Sequence, residues 1–150
     1  MARTQQDGRV TKDPQELAER YAALWNEADP TRRREGIRAL WTPNGAQILV
    51  DAPQEARAAA DRLRFRKPIF EVHGYEALEV RVTRACEMFI ARGEFLFRLR
   101  DGLTTLLPHV VAVSWEMVST KDGAHAGGGV DVLDLSDDGR IMTAYQFIER

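Results

Sequence analysis

Two carboxylates, Asp131 and Asp134, stand three positions apart in Val130-Asp-Val-Leu-Asp-Leu135, a run whose β-branched and aliphatic residues predict a strand. The odd spacing sends the two acids to opposite faces of a sheet. If one face is buried, one acid is either buried or at the lip of a cavity, because an ionised carboxylate is costly to bury unpaired. Asp131 lies between Val130 and Val132, and in low-polarity surroundings desolvation raises a carboxylic acid's pKa. A structural ion pair with Arg98 or Arg100 is the plainer alternative for it.

Three other side chains could hold or move a proton. Tyr21 falls on an apolar helical stripe, where its hydroxyl either meets a ligand or satisfies a core carbonyl. Asp51 follows a short apolar run and precedes Ala52-Pro53-Gln54-Glu55, so it either faces a cavity or caps a helix. His109 opens His-Val-Val-Ala-Val-Ser-Trp115 and shares strand parity with Val111, Val113 and Trp115. Its pKa near neutrality suits acid or base work, while a core or edge histidine is the simpler reading. Trp25, Trp41 and Trp115 either fill the core or stack on a ligand. The histidines are far apart and the lone cysteine, Cys86, has no partner, so no metal-ligand spacing appears. Gly127-Gly-Gly129 precedes a strand rather than a helix, which excludes the phosphate-binding turn of a dinucleotide fold. No serine or cysteine nucleophile motif occurs.

The elements that must position these residues follow from local signals. Asp13-Pro14-Gln15-Glu16 starts a helix carrying Leu17, Tyr21, Leu24 and Trp25 on one face. Asp29-Pro30 starts a second, with Ile37, Leu40 and Trp41 as its stripe and Arg32 to Glu35 solvated. Pro43-Asn44-Gly45 ends it, and Ala46 to Val50 makes a short strand. Residues 52–72 read as a helical excursion. A further helix after Gly74 carries Leu78, Val82, Ala85, Met88 and Phe89 on one side, and Gly93 ends it. Beyond it the chain is all strand. Phe95, Phe97 and Leu99 alternate with Leu96, Arg98 and Arg100, and turns are expected at Asp101-Gly102, near Pro108, at Lys121-Asp122-Gly123 and at Ser136-Asp-Asp-Gly139. His73 and His125 read as loop residues. Helices followed by a long antiparallel meander predict an α+β domain.

The 150 residues suit one domain, 13–150, behind a polar tail, 1–12, expected to be disordered. A net charge of −2 argues against a general attraction to nucleic acid or anionic membrane, and the short basic clusters, Arg32–Arg34 and Arg62 to Lys67, read as solvated faces. No apolar run reaches membrane-span length, no apolar signal region opens the chain, and one cysteine suits a reducing, cytoplasmic setting.

From Asp13 to Ile148 the chain resembles the nuclear-transport-factor-2-like, or SnoaL-like, superfamily, and within it ketosteroid isomerase. Tyr21-Ala-Ala-Leu-Trp-Asn-Glu-Ala-Asp29 resembles that enzyme's first helix, and Trp115-Glu-Met-Val118 with Gly127 to Ile141 resembles its final hairpins. The resemblance implies a cone: a strongly curved antiparallel sheet around N-terminal helices, with a deep pocket. It also implies that Tyr21 and Asp131 hold an enolate oxygen, the tyrosine-plus-protonated-acid pattern known from that isomerase. Asp51, or His109, would move the proton. Trp25, Trp41, Met88, Phe89, Trp115 and Tyr145 would line the ligand site. The expected function is a pocket protein that moves a proton next to a carbonyl in an apolar substrate, by isomerisation, cyclisation or dehydration, without a cofactor. A non-catalytic binder of an apolar ligand is the alternative. Dimers through the sheet are common in such proteins, and the face bearing Val110, Ala112, Ser114 and Val118 is apolar enough to need covering, so a homodimer is expected.

Overall fold

The computed structural model describes residues 9–50 and 70–149. Asp51 and most of the expected 52–72 excursion lie outside them.

Both N-terminal helices begin where their caps place them. Asp13 precedes α1 (Pro14–Leu24) in extended conformation and accepts from the Gln15 amide at 3.1 Å. Asp29 does the same for α2 (Pro30–Leu40), accepting from the Thr31 and Arg32 amides at 2.8 and 3.1 Å. Proline at the first helical position fits because its missing N–H would have no partner there. Residues just ahead of α1 are bonded to it: the Thr11 hydroxyl donates to Glu16 at 2.8 Å.

The chain enters the sheet earlier than expected. The second helix stops at Leu40, and β1 already runs Trp41–Val50 with Pro43 to Gly45 inside it. These three form an irregularity, across which the register against the last strand shifts. A proline is tolerated in a strand at such a bulge. Gly45 is required, since a Cβ there would stand 2.7 Å from the Trp41 ring. The helical expectation for 52–72 fails at its end, because β2 (Phe70–His73) pairs antiparallel with β1. Four residues are too few to display a period, and it is the neighbouring edge that makes them a strand.

Helix α3 (Gly74–Ala85) buries Leu78, Val82 and Ala85 as expected. It then widens into a π-helical turn, Cys86–Ile90, closed by the Ala91 amide donating to the Cys86 carbonyl at 2.8 Å. The remaining strands are β3 (Phe95–Leu99), β4 (Thr104–Leu107), β5 (Val110–Ser119), β6 (His125–Leu135) and β7 (Ile141–Ile148). Gly123 and Gly139 take positive φ in the two hairpin turns, as the turn signals require. His125 is the first residue of β6 rather than a loop residue, and His73 closes β2.

Among the described residues seven strands form one curved sheet ordered β2-β1-β7-β6-β5-β3, with β4 also on β5. Every pairing is antiparallel except β1 with β7, which is parallel and closes the long chain excursion back onto the last strand. The sheet stays open, with the three helices of the described residues packed on one face. Between the two layers lies a core that includes Leu17, Tyr21, Ile37, Trp41, Leu78, Val113 and Leu133. Among the described residues no helix is long and apolar enough to cross a membrane.

Candidate functional site

Strand register sets the site. Val113, Asp131 and Gln146 stand side by side on β5, β6 and β7 and face the helices. Asp134, three positions on, turns to the other face and is half-buried there. Two residues further along β5, Trp115 lies opposite Gly129. A Cβ at 129 would approach the Trp115 ring to 2.9 Å, so the bare glycine lets the indole lie flat along β6. In that position Trp115 Nε1 donates to Asp131 Oδ1 at 2.8 Å. Gln146 Nε2 donates to Oδ2 at 3.4 Å. From α1, across the core, the Tyr21 hydroxyl donates to the same Oδ2. The carboxyl group has 0% solvent exposure and three donors.

The next layer is a cation. Arg81, on α3, donates to Gln146 Oε1 at 3.2 Å and lies over the Trp25 ring, 5.6 Å from its centroid. The Gln146 amide is therefore oriented by charge at both ends, accepting from the guanidinium and donating to the carboxylate. Burial pushes Asp131 up to about 6, against the pull of its three donors and of Arg81. Burial and the neighbouring Asp131 charge push Tyr21 well above the usual phenol range, so it remains a donor. Burial also holds Arg81 below its ordinary value.

These four polar groups share the wall of a cavity of about 290 Å³, near the small end of the range for ligand pockets. Trp25, Phe89, Phe97, Val113, Trp115 and Met117 make much of its apolar surface. Phe97 holds the aromatic wall together, meeting Phe89 and Trp115 nearly at right angles with centroids 6.1 and 5.7 Å away. Glu149 borders the cavity and is neutralised by Arg100.

Of the side chains expected at a site, Tyr21, Asp131, Trp25, Phe89 and Trp115 meet around this cavity. Trp41 lies fully buried behind Tyr21, ring centroids 5.7 Å apart, and belongs to the core. Met88 is 59% exposed, because the wide π turn rotates it off the face it would hold in a continuous α-helix. Tyr145 points to the opposite face of the sheet, one position out of phase with Gln146. His109 sits in the exposed turn between β4 and β5 and does not border the cavity. Asp51 is outside the described residues. The ion-pair alternative for Asp131 fails: Arg98 donates to Glu116 at 2.7 Å and Arg100 pairs with Glu149. Arg81 and Gln146 were not anticipated. Arg81 sits between Leu78 and Ala85 on the stripe that α3 buries, and a cation on an apolar stripe is a readable signal. Gln146 is legible only once β7 is registered on Asp131. No group of three His, Cys, Asp or Glu side chains that could hold a metal occurs among the described residues.

No family model matches the sequence, and no curated protein does. Solved structures do match. One is a SnoaL-like family protein from Agrobacterium tumefaciens, named as a candidate isomerase. It is 24% identical over 90% of this chain and 96% of that one, with a TM-score of 0.69. A SnoaL-like protein of unknown function from Burkholderia thailandensis is 14% identical over 92% and 99% of the two chains, with a TM-score of 0.59. An NTF2-like protein of unknown function from an Exiguobacterium species is 15% identical over 89% and 98%, with a TM-score of 0.58. At these identities the likeness is one of fold.

Proposed function

We propose that this chain, which has the SnoaL-like, nuclear-transport-factor-2-like fold, binds a small, mainly apolar carbonyl compound and moves a proton next to the carbonyl without a cofactor. The observation that supports this is the fully buried Asp131 carboxyl in the wall of an apolar cavity, raised to about 6. At pH 7 such a group is mostly ionised and still basic enough to take a proton, the compromise that general-base catalysis favours. Among the described residues Asp131, rather than His109, is then the proton acceptor. A C–H bond next to the carbonyl breaks, an O–H bond forms on Asp131, and the electron pair moves to the carbonyl oxygen. Returning the proton to another carbon completes an isomerisation, while loss of a leaving group completes a dehydration.

Tyr21 takes a different part from the one the isomerase resemblance implied. In this reading its hydroxyl donates to Asp131 rather than to a ligand oxygen. Its hydroxyl, with Trp115 and Gln146, fixes the carboxylate rotamer and fills three of roughly four lone-pair sites, leaving one on the Oδ1 side that receives Trp115. The test is deuterium uptake. A panel of small apolar ketones and enones incubated in heavy water should exchange hydrogen next to the carbonyl, seen by NMR. The exchange should fall by roughly 10²–10⁴ in Asp131→Asn. Equal exchange in wild type and variant would remove Asp131 as the base.

The zero exposure of Asp131 favours a second reading, an apolar-ligand binder in which the carboxylate only ties β6 to α1. That reading expects ligand retention with no exchange, and the same samples separate the two.

A further inference from the structure

Arg81 is the one cation bordering the cavity among the described residues, and its charge has no direct carboxylate partner there. A guanidinium carries five N–H donors, and within the protein Arg81 spends one, on Gln146 Oε1. Its guanidinium carbon lies over the Trp25 ring, 5.6 Å from the centroid, a cation–π contact that holds the group at the cavity wall. Asp131 is held off by the intervening Gln146 amide, at 3.2 Å from one and 3.4 Å from the other. The surrounding walls are aromatic and aliphatic. The Asp131 charge reaches Arg81 across that amide rather than by direct contact, and guanidinium N–H groups left without acceptors in an apolar pocket are costly unless something completes them.

We propose that Arg81 is the anion subsite of this cavity and that the ligand is an apolar acid whose carboxylate pairs with it in two-point fashion. This rests on the cavity being a ligand site, as argued above, and narrows the substrate class from carbonyl compounds in general to apolar oxo acids. The carboxylate would seat on Arg81 and the carbon skeleton against Phe89, Phe97 and Trp115, which places the atoms between them next to Asp131.

The experiment compares phenylacetate with its methyl ester, the same skeleton without the charge, by calorimetric titration of wild type, Arg81→Met and Arg81→Lys. Wild type should favour the acid by roughly 10-fold or more, the scale of one charge-assisted hydrogen bond. Arg81→Met should lose the preference, and Arg81→Lys should keep part of it. In parallel, the Arg81 guanidinium N–H resonances of wild type should shift with phenylacetate and stay in place with the ester, a readout that needs no variant to fold. Equal binding of acid and ester, or an unmoved Arg81 resonance with bound acid, overturns the anion subsite and leaves the cavity reading intact. Binding of neither probe removes the cavity reading and this proposal together.

Discussion

Ionising Asp131 sets its burial against three donors and a guanidinium one residue further away. Burial wins, lifting the group from an ordinary 3.8 to about 6. Between those values the folded protein keeps a proton that the unfolded chain has lost. Stability from this group is therefore present below about pH 4 and falls as pH rises to 6, by roughly 3 kcal/mol in all. Urea unfolding at a series of pH values should show that loss in wild type minus Asp131→Asn. The difference matters because Glu16, Glu116 and Asp138 are lowered and act in the opposite sense. Tyr21→Phe removes a donor that holds the carboxylate down, so the Asp131 midpoint should move above 6, read from its carboxyl 13C shift. Above that pH the variant should lose about 1–3 kcal/mol, the cost of a buried charge short of one partner. Gln47 presents the reverse case. It faces the interior at 2% exposure, and among the described residues its amide has no hydrogen-bond partner at either end. Gln47→Met should therefore stabilise the protein by about 1 kcal/mol, seen as a higher denaturation midpoint.

At the scale of elements, the site depends on irregularities. Gly129 gives β6 the bare patch on which the Trp115 indole rests. Gly129→Ala should cost about 1–3 kcal/mol by overpacking. It should also lift Trp115 from Asp131, which would appear as a red-shifted, more exposed tryptophan emission; unchanged emission and stability would show that the strand gives way freely. The π turn after α3 aims Phe89 at the cavity and turns Met88 to solvent. An argument from helical period alone puts both on one face, and the extra residue in a wide turn breaks that phase. Arg33 shows the same limit. It sits in a run of arginines expected to be solvated, yet is buried, donating to the Glu27 and Ala28 carbonyls at 3.0 and 2.9 Å and so closing the end of α1.

For the whole molecule, the outer face of the sheet exposes large apolar side chains. Val130 stands opposite Phe147, and Val132 opposite Tyr145, on the side away from the helices. Phe147 is 44% exposed. Val118, expected on this face, is buried instead, because the register of β5 against β6 shifts at Met117. We propose that the remaining apolar strip pairs with a second copy about a two-fold axis, as the sequence suggested. Phe147→Glu should convert a dimer to a monomer in light scattering; a wild-type monomer at working concentration would remove the idea.

The helix starts, the turn glycines and the burial of Asp131 were legible in the chain because each rests on local chemistry: a capping carboxylate, a positive φ, an acid between two valines. Parity and stripe left Tyr21 and Trp115 open between core and pocket, and the order of elements gave an α+β domain; the family resemblance supplied the pocket roles and the curved-sheet fold. What Asp131 touches was not legible. Its partners come from positions 21, 115 and 146, and only the registers of β5, β6 and β7 and the packing of α1 decide that they meet there. The same registers leave His109 and Tyr145 outside the cavity, and helix packing brings Arg81 in. A sequence specifies which side chains are expensive to bury alone; only the folded molecule decides which neighbours make the burial tolerable.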